Sequence, residues 1–186
     1  MPAIDVLAKE SVRNLVMPIS VAQYHEVSAL GLIPEKTELL EGIIFKKMTK
    51  SPLHEFIAHK LYHFFSEQLS DLYLVRKEAP LTLAASEPEP DISIVKGRLD
   101  DFIRAHPSHA ELVIEVAVSA PALDREKIAI YAAANIPEYW IVRAQDKVIE
   151  RYTDPSSGSY QTMVVVTATQ SIDTPCGPLA LGDLFG

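Results

Sequence analysis

Residues 112–118, Leu-Val-Ile-Glu-Val-Ala-Val, form an apolar run in which Glu115 is the only charge. A short continuous run rich in β-branched residues is the pattern of a strand buried on both faces. An ionised carboxylate is rarely fully buried without a partner, because removing the charge from water costs several kcal/mol or more. Something must compensate Glu115: a cation, a shifted pKa or a bound metal. This requirement constrains the fold, since the strand has to be central and other elements have to bring the compensation to it.

Two segments can do so. Pro90-Asp-Ile-Ser-Ile-Val95 reads as a second strand that opens with an acid, and Asp124-Arg-Glu-Lys127 starts a predicted helix. Strand parity places Glu111, Val113, Glu115 and Ala117 on one face and Leu112, Ile114, Val116 and Val118 on the other. Glu115 therefore points away from the aliphatic side, beside the small Ala117, which leaves room for a ligand. Asp91 shares its face with Ser93 and Val95. If the two strands are neighbours, the carboxylates converge on one hard cation such as Mg²⁺, which favours oxygen ligands and keeps several waters. Taken singly, each acid is better explained by a wet sheet face or an ion pair; with Lys127 the balance moves toward a site. Lys127, expected in the first helical turn, is poorly placed for the helix dipole. A lysine there can orient an attacking water and offset charge on a phosphorane-like transition state.

The rest of the chain reads as one domain. Its 186 residues, 48% hydrophobic and 23% charged, have ordinary globular composition. Residues 1–19 have weak periodicity and are expected to be an arm, with a single domain over 20–186. Ser20 and Gly31 bracket a short helix, and Gly42 marks a bulge or close approach in a strand entry over 38–48. Ser51-Pro52 opens an amphipathic helix over 53–69. Strand-like runs follow at 73–77, 81–84, 91–95 and 110–118. Asp124 is the expected N-cap of a helix ending near Asn135-Ile-Pro137, and further strands are expected at 139–143, 148–152 and 160–167. The order predicts an α/β (α+β) fold, a mixed β-sheet flanked by helices, with one β-α-β crossover from the Glu115 strand through the Lys127 helix to Trp140.

Several function classes lose support. No Gly-x-Ser-x-Gly, Walker or dinucleotide fingerprint occurs, and there are only seven glycines. Glu55, His59 and His63 lie at i, i+4, i+8 on the expected helix, a zinc-compatible spacing. No zinc-protease motif surrounds them and no cysteine is near, so surface histidines are the better reading. The single Cys176 precludes an internal disulfide, and the N-terminus lacks a signal-peptide layout. A cytoplasmic protein with no membrane segment is expected. The net charge of −8 disfavours non-specific nucleic-acid binding. Lys46, Lys47, Lys50, Arg76, Lys77, Lys96 and Arg98 near the site strands could nevertheless line a positive track.

Beyond these readings, the chain resembles a known family. Glu38-Leu-Leu-Glu-Gly42, Ser51-Pro-Leu-His54, Pro90-Asp91, Val113-Ile-Glu-Val116, Asp124-Arg125, Lys127, Tyr131 and Ile136-Pro-Glu-Tyr-Trp-Ile-Val142 look like the Uma-type restriction-endonuclease family. That family is similar to the PD-(D/E)XK nuclease superfamily. The resemblance runs from about residue 20 to the C-terminus, and its most specific block is Ile-Pro-Glu-Tyr-Trp. It implies a restriction-endonuclease-like core with Asp91 and Glu115 as Mg²⁺ (or Mn²⁺) ligands and Lys127 as the catalytic lysine. Ala117 occupies the superfamily's usual lysine position, so the lysine has migrated to the following helix. Glu38 is implied as an auxiliary acid and His54 as a substrate contact. Two departures are a Val118 where relatives often carry a polar residue and a segment between Asp124 and Lys127 that looks one residue short.

The expected function is metal-dependent endonuclease hydrolysis of DNA, with duplex DNA as partner. The alternative is a catalytically degenerate interaction protein that keeps the nuclease fold. The apolar C-terminal segment 177–186 reads as either core or an exposed patch, and a homodimer is compatible with the second and with two-fold cutting of duplexes.

Overall fold

The computed structural model describes residues 11, 14–118 and 121–186. The expected arm over 1–19 lies largely outside the described residues. Helix α1 (Val21–Ala29) starts as expected: Ser20 Oγ accepts from the Gln23 backbone N–H while the Gln23 side chain accepts from Ser20 N–H. Gly31, at φ 67°, follows its end. The segment expected as one strand entry folds back as a hairpin, β1 (Thr37–Leu40) and β2 (Ile43–Lys46), turning at Glu41-Gly42. A Cβ at Gly42 would lie 2.3 Å from the Cβ of Pro18, so the close approach is real.

Helix α2 (Pro52–Gln68) is capped by Ser51 Oγ, which accepts from His54 N–H, with Pro52 at its first position. Six strands then build the sheet: β3 (Tyr73–Lys77), β4 (Ile92–Lys96), β5 (Leu112–Ala117), β6 (Glu138–Arg143), β7 (Val148–Ser156) and β8 (Ser159–Thr167). They lie in sequence order, antiparallel except for the parallel β5–β6 pair. That pair is joined through α3 (Ala122–Ala133), the expected crossover. A short 3₁₀ turn (Leu99–Phe102) follows β4. A second hairpin, β9 (Ser171–Thr174) with β10 (Gly177–Ala180), leads into α4 (Leu181–Phe185).

Both sheet faces are covered. On one, Ile57, Leu61 and Phe65 of α2 pack on Ile92, Ile94, Leu112, Ile114, Val116 and Trp140, joined by Leu179, Leu181 and Leu184 from the C-terminal segment. That segment is core rather than exposed patch. On the other, Tyr131 of α3 and Ile136 pack on Val95, Val113, Ala117, Tyr139 and Ile141. The two-face burial of β5 follows from its central place, and it puts Glu115 under α3 rather than on an open face.

Three expectations are corrected. Residues 81–84 form no strand: Leu81 and Leu83 bury their side chains from a loop, with Leu81 N–H donating to the Pro88 carbonyl and Leu83 N–H to that of Ser86 across a tight turn. Helix α3 begins at Ala122 with Pro121 at its N-cap, so Asp124 lies inside the first turn. Lys127 accordingly falls in the second turn, where the dipole argument no longer applies.

Gly42 and Gly158 share φ 77°, but no atom lies within 4 Å of a Cβ built at Gly158. Alanine at Gly158 should therefore cost only the left-handed backbone penalty, about 1–2 kcal/mol. Alanine at Gly42 should cost visibly more by urea unfolding, because the Pro18 contact adds to the same backbone term.

Candidate metal and phosphodiester site

Register brings the two acids together. In the antiparallel β4–β5 ladder Ile92 faces Ile114, so the next pair outward is Asp91 and Glu115. Asp91 N–H donates to Glu115 Oε2 at 3.4 Å, and Val116 N–H donates to Asp91 Oδ2 at 2.8 Å. Neighbouring strands with acids on one face were the sequence expectation, and the ladder supplies them. Both side chains are buried.

Lys127 reaches the pair from α3. Its Nζ lies 2.9 Å from Glu115 Oε1 and 2.9 Å from Glu38 Oε2. The apparently short segment before Lys127 is no obstacle, because α3 starts two residues earlier than Asp124. Glu38 comes from β1, which is held to the approach to β4 by the Leu39–Glu87 bridge; its Oε2 also accepts from Glu89 N–H at 3.3 Å. Tyr131 Oη donates to Glu115 Oε1 at 3.3 Å. His54, in the first turn of α2, bonds Asp91 Oδ2 through Nε2 at 3.0 Å. A carboxylate only accepts, so Nε2 carries the proton. His54 Nδ1 is buried without a partner among the described residues.

The electrostatics separate the two acids. Burial pushes the Glu115 carboxyl up to about 8, against the pull of Lys127 and with the repulsion of Asp91, Asp124 and Glu38 added. Asp91 is equally buried, yet its contacts with His54 and Lys50 overcome the desolvation and hold it well below the usual carboxylate range. Lys127 is also desolvated, but Glu115 and Glu38 keep its ammonium firmly charged. Burial raises Asp124 as well.

These groups line one cavity of about 340 Å³, with Lys46, Lys47, Lys50 and Asp124 on its wall. Sequence reasoning missed two of its features. In the sequence Lys50 is one member of a basic cluster, yet its Nζ sits 2.8 Å from Asp91 Oδ1. Asp124 had been read as a cap. The seven basic residues do not all converge on the cavity. Lys96 and Arg98 follow the end of β4 remote from Asp91, on the order of 17 Å along the strand. Lys47, Lys77 and Lys96 are paired with Glu89, Glu55 and Glu111. The histidine stripe is similarly inert: Glu55 is held by Lys77, and His63 lies 3.5 Å from Glu67.

Among the described residues no group of three or more His, Cys, Asp or Glu side chains is gathered to cage a metal ion. The donors at the cavity are instead two adjoining hard carboxylates, one of them a buried group whose charge is incompletely compensated. That set fits a Mg²⁺-like ion, which is commonly bound by one or two carboxylates and retains water in its other positions. It does not fit zinc, since no cysteine lines the cavity and its one histidine bonds Asp91 instead.

Comparison with known proteins identifies the family and the fold. Residues 22–181 match the model of the Uma2 family, described as "Putative restriction endonuclease". No curated protein matches the sequence. Among solved structures, the chain is similar to "a putative nuclease belonging to DUF820" from Anabaena variabilis, with a TM-score of 0.73 at 16% identity, covering 90% of this chain and 98% of the other. At that identity the likeness shows the fold, a restriction-endonuclease-like core. Because the family model spans nearly the whole described chain, from α1 to the start of α4, this protein belongs to the Uma2 family.

Proposed function

We propose that the protein is a divalent-metal-dependent endonuclease acting on DNA. One observation carries the reading: Asp91 and Glu115 face each other across β4–β5 in a cavity where Lys127 sits 2.9 Å from Glu115. Asp91 and Glu115 would hold the ion. A bound Mg²⁺ or Mn²⁺ would supply Lewis-acid polarisation of the scissile phosphate and a water of lowered pKa. Lys127, kept charged by Glu38 and Glu115, is the group available to orient the attacking water and to stabilise developing negative charge. Glu38 fixes Lys127, and His54 with Val116 N–H fixes Asp91.

Duplex cleavage with Mn²⁺ tests the reading. Glu115→Gln and Lys127→Met should each lower the cleavage rate by about 10²-fold or more, while uptake of Mn²⁺ by calorimetry is lost in Asp91→Asn. The alternative, a non-catalytic module on the same fold, predicts no Mn²⁺ uptake in the wild type. Parallel assays on duplex DNA and RNA identify the substrate.

The Glu115 carboxyl also has a signature in stability. Its folded-state value of about 8 lies above the ordinary 4.5, so the native protein binds the proton more tightly than the unfolded chain. The associated stability is fully present below pH 4.5 and is lost as pH rises through 8. Thermal melts of the metal-free protein should fall across that window, by on the order of a few kcal/mol in stability, and Glu115→Gln should flatten the fall.

The homodimer expected for a duplex cutter has a candidate surface in β8. Among the described residues this nine-residue edge strand pairs only with β7; it carries no charge and exposes Met163, Val164 and Val165 by 53%, 49% and 44%. The opposite edge, β3, is five residues long and carries Arg76 and Lys77, which protect it. An uncharged edge is where two copies of net charge −8 can approach, and an antiparallel strand is complementary to itself about a two-fold axis. Sedimentation should show a dimer that Val164→Lys dissociates without loss of the fold.

A further inference from the structure

Both oxygens of Asp91 are engaged. Oδ2 accepts from Val116 N–H at 2.8 Å and from His54 Nε2 at 3.0 Å, while Oδ1 accepts from Lys50 Nζ at 2.8 Å. Of the roughly four acceptor sites of a carboxylate the open one is on Oδ1, so a divalent ion there would stand against the Lys50 ammonium, and the three contacts differ in how readily they yield. The Val116 N–H belongs to β5, and His54 is locked in the capped first turn of α2. Lys50 lies in the irregular segment between β2 and α2. Its other anchor is Glu78 Oε1 at 3.1 Å, on a side chain 36% exposed. Lys127 is the other cavity ammonium in contact with the buried acids, but it is tied to two of them and its side chain is only 4% exposed, against 18% for Lys50.

We infer that Lys50 is a stand-in cation: it occupies Asp91 Oδ1 in the metal-free protein and is displaced when a divalent ion enters. This rests on the reading of Asp91 as a metal ligand and adds to it which residue gives way. Physical chemistry requires some such device. An ionised Asp91 buried with Glu115 and Glu38 nearby would be strongly destabilising without a countercharge. A countercharge that could not leave would block the ion. A long side chain on an irregular segment, with one partner at the surface, satisfies both conditions. Displacement leaves the Lys50 ammonium at the cavity wall next to Lys46 and Lys47, where a substrate phosphate would approach. Two cations that exclude each other from one carboxylate are negatively coupled, and coupling between mutually linked ligands is typically about 5–150-fold.

The test is Mn²⁺ calorimetry without DNA on wild type, Lys50→Met, Lys50→Arg and Asp91→Asn, with circular dichroism confirming that each is folded. Lys50→Met should bind Mn²⁺ on the order of tenfold more tightly than wild type, within that coupling range. Lys50→Arg, which restores a cation, should return toward the wild-type value. Unchanged or weaker Mn²⁺ binding in Lys50→Met, with uptake still abolished in Asp91→Asn, overturns the role of Lys50 and leaves the metal reading standing. Absence of Mn²⁺ uptake in wild type and Lys50→Met alike, or uptake indifferent to Asp91→Asn, overturns the metal reading and the inference with it. A merely structural Lys50 would lower stability and leave metal affinity the same or reduced, so an increase in affinity identifies competition.

Discussion

The Glu38–Lys127–Glu115 bridge is the interaction on which the site depends. One ammonium, almost wholly withdrawn from water, joins β1, β5 and α3 through two contacts of 2.9 Å. Desolvating these groups is expensive, several kcal/mol per ion before attraction is counted, so the bridge is a poor source of net stability. Its effect is positional. The first hairpin, the central strand and the crossover helix can satisfy their buried charges only when docked in this one arrangement. Removal of Lys127 would leave two buried carboxylates facing each other, and removal of Glu115 would leave the lysine with Glu38 alone.

A second charge arrangement complements it. Asp91 is held low by His54 and Lys50, while Glu115, directly opposite it across the ladder, is pushed up by burial. Two carboxylates with opposed environments, adjoining in one cavity, form an asymmetric pair. The asymmetry arises from which cation each one meets: Asp91 faces a histidine and a lysine at the cavity mouth, whereas Glu115 shares its deeper lysine with Glu38. The sheet fixes the separation of the acids, and the surrounding elements fix their charge.

Much of this was legible in the residues. The isolated Glu115 in an apolar run marked a central strand with a compensated charge, because burial of a carboxylate admits few alternatives. The Ser51-Pro52 start of α2 and the Ser20 start of α1 were readable because capping is local chemistry between a side chain and the next three residues. The start of α3 was misread, since Asp124 is a good cap by type but Pro121 already ends the preceding strand connection. The run at 81–84 was misread because apolar alternation also arises when a loop buries every second side chain. The hairpin of β9 and β10 is not legible, and the sequence leaves the C-terminal segment open between core and exposed patch, since short, weakly patterned segments acquire structure only from what they pack against. Lys50 stayed hidden among neighbouring lysines because nothing in its local sequence reports a partner 41 residues away.

By itself the sequence determined the mixed α/β character, the central strand, the crossover helix and the three groups Asp91, Glu115 and Lys127. Each of these follows from local periodicity, capping chemistry or the cost of burying a charge. Only the tertiary structure decided that Asp91 and Glu115 are register neighbours, that Glu38 shares Lys127, that Lys50 occupies Asp91, and that Lys96 and Arg98 stand away from the cavity. Those are distances between residues far apart in the chain, and they are set by strand pairing and helix docking rather than by any residue's own preference.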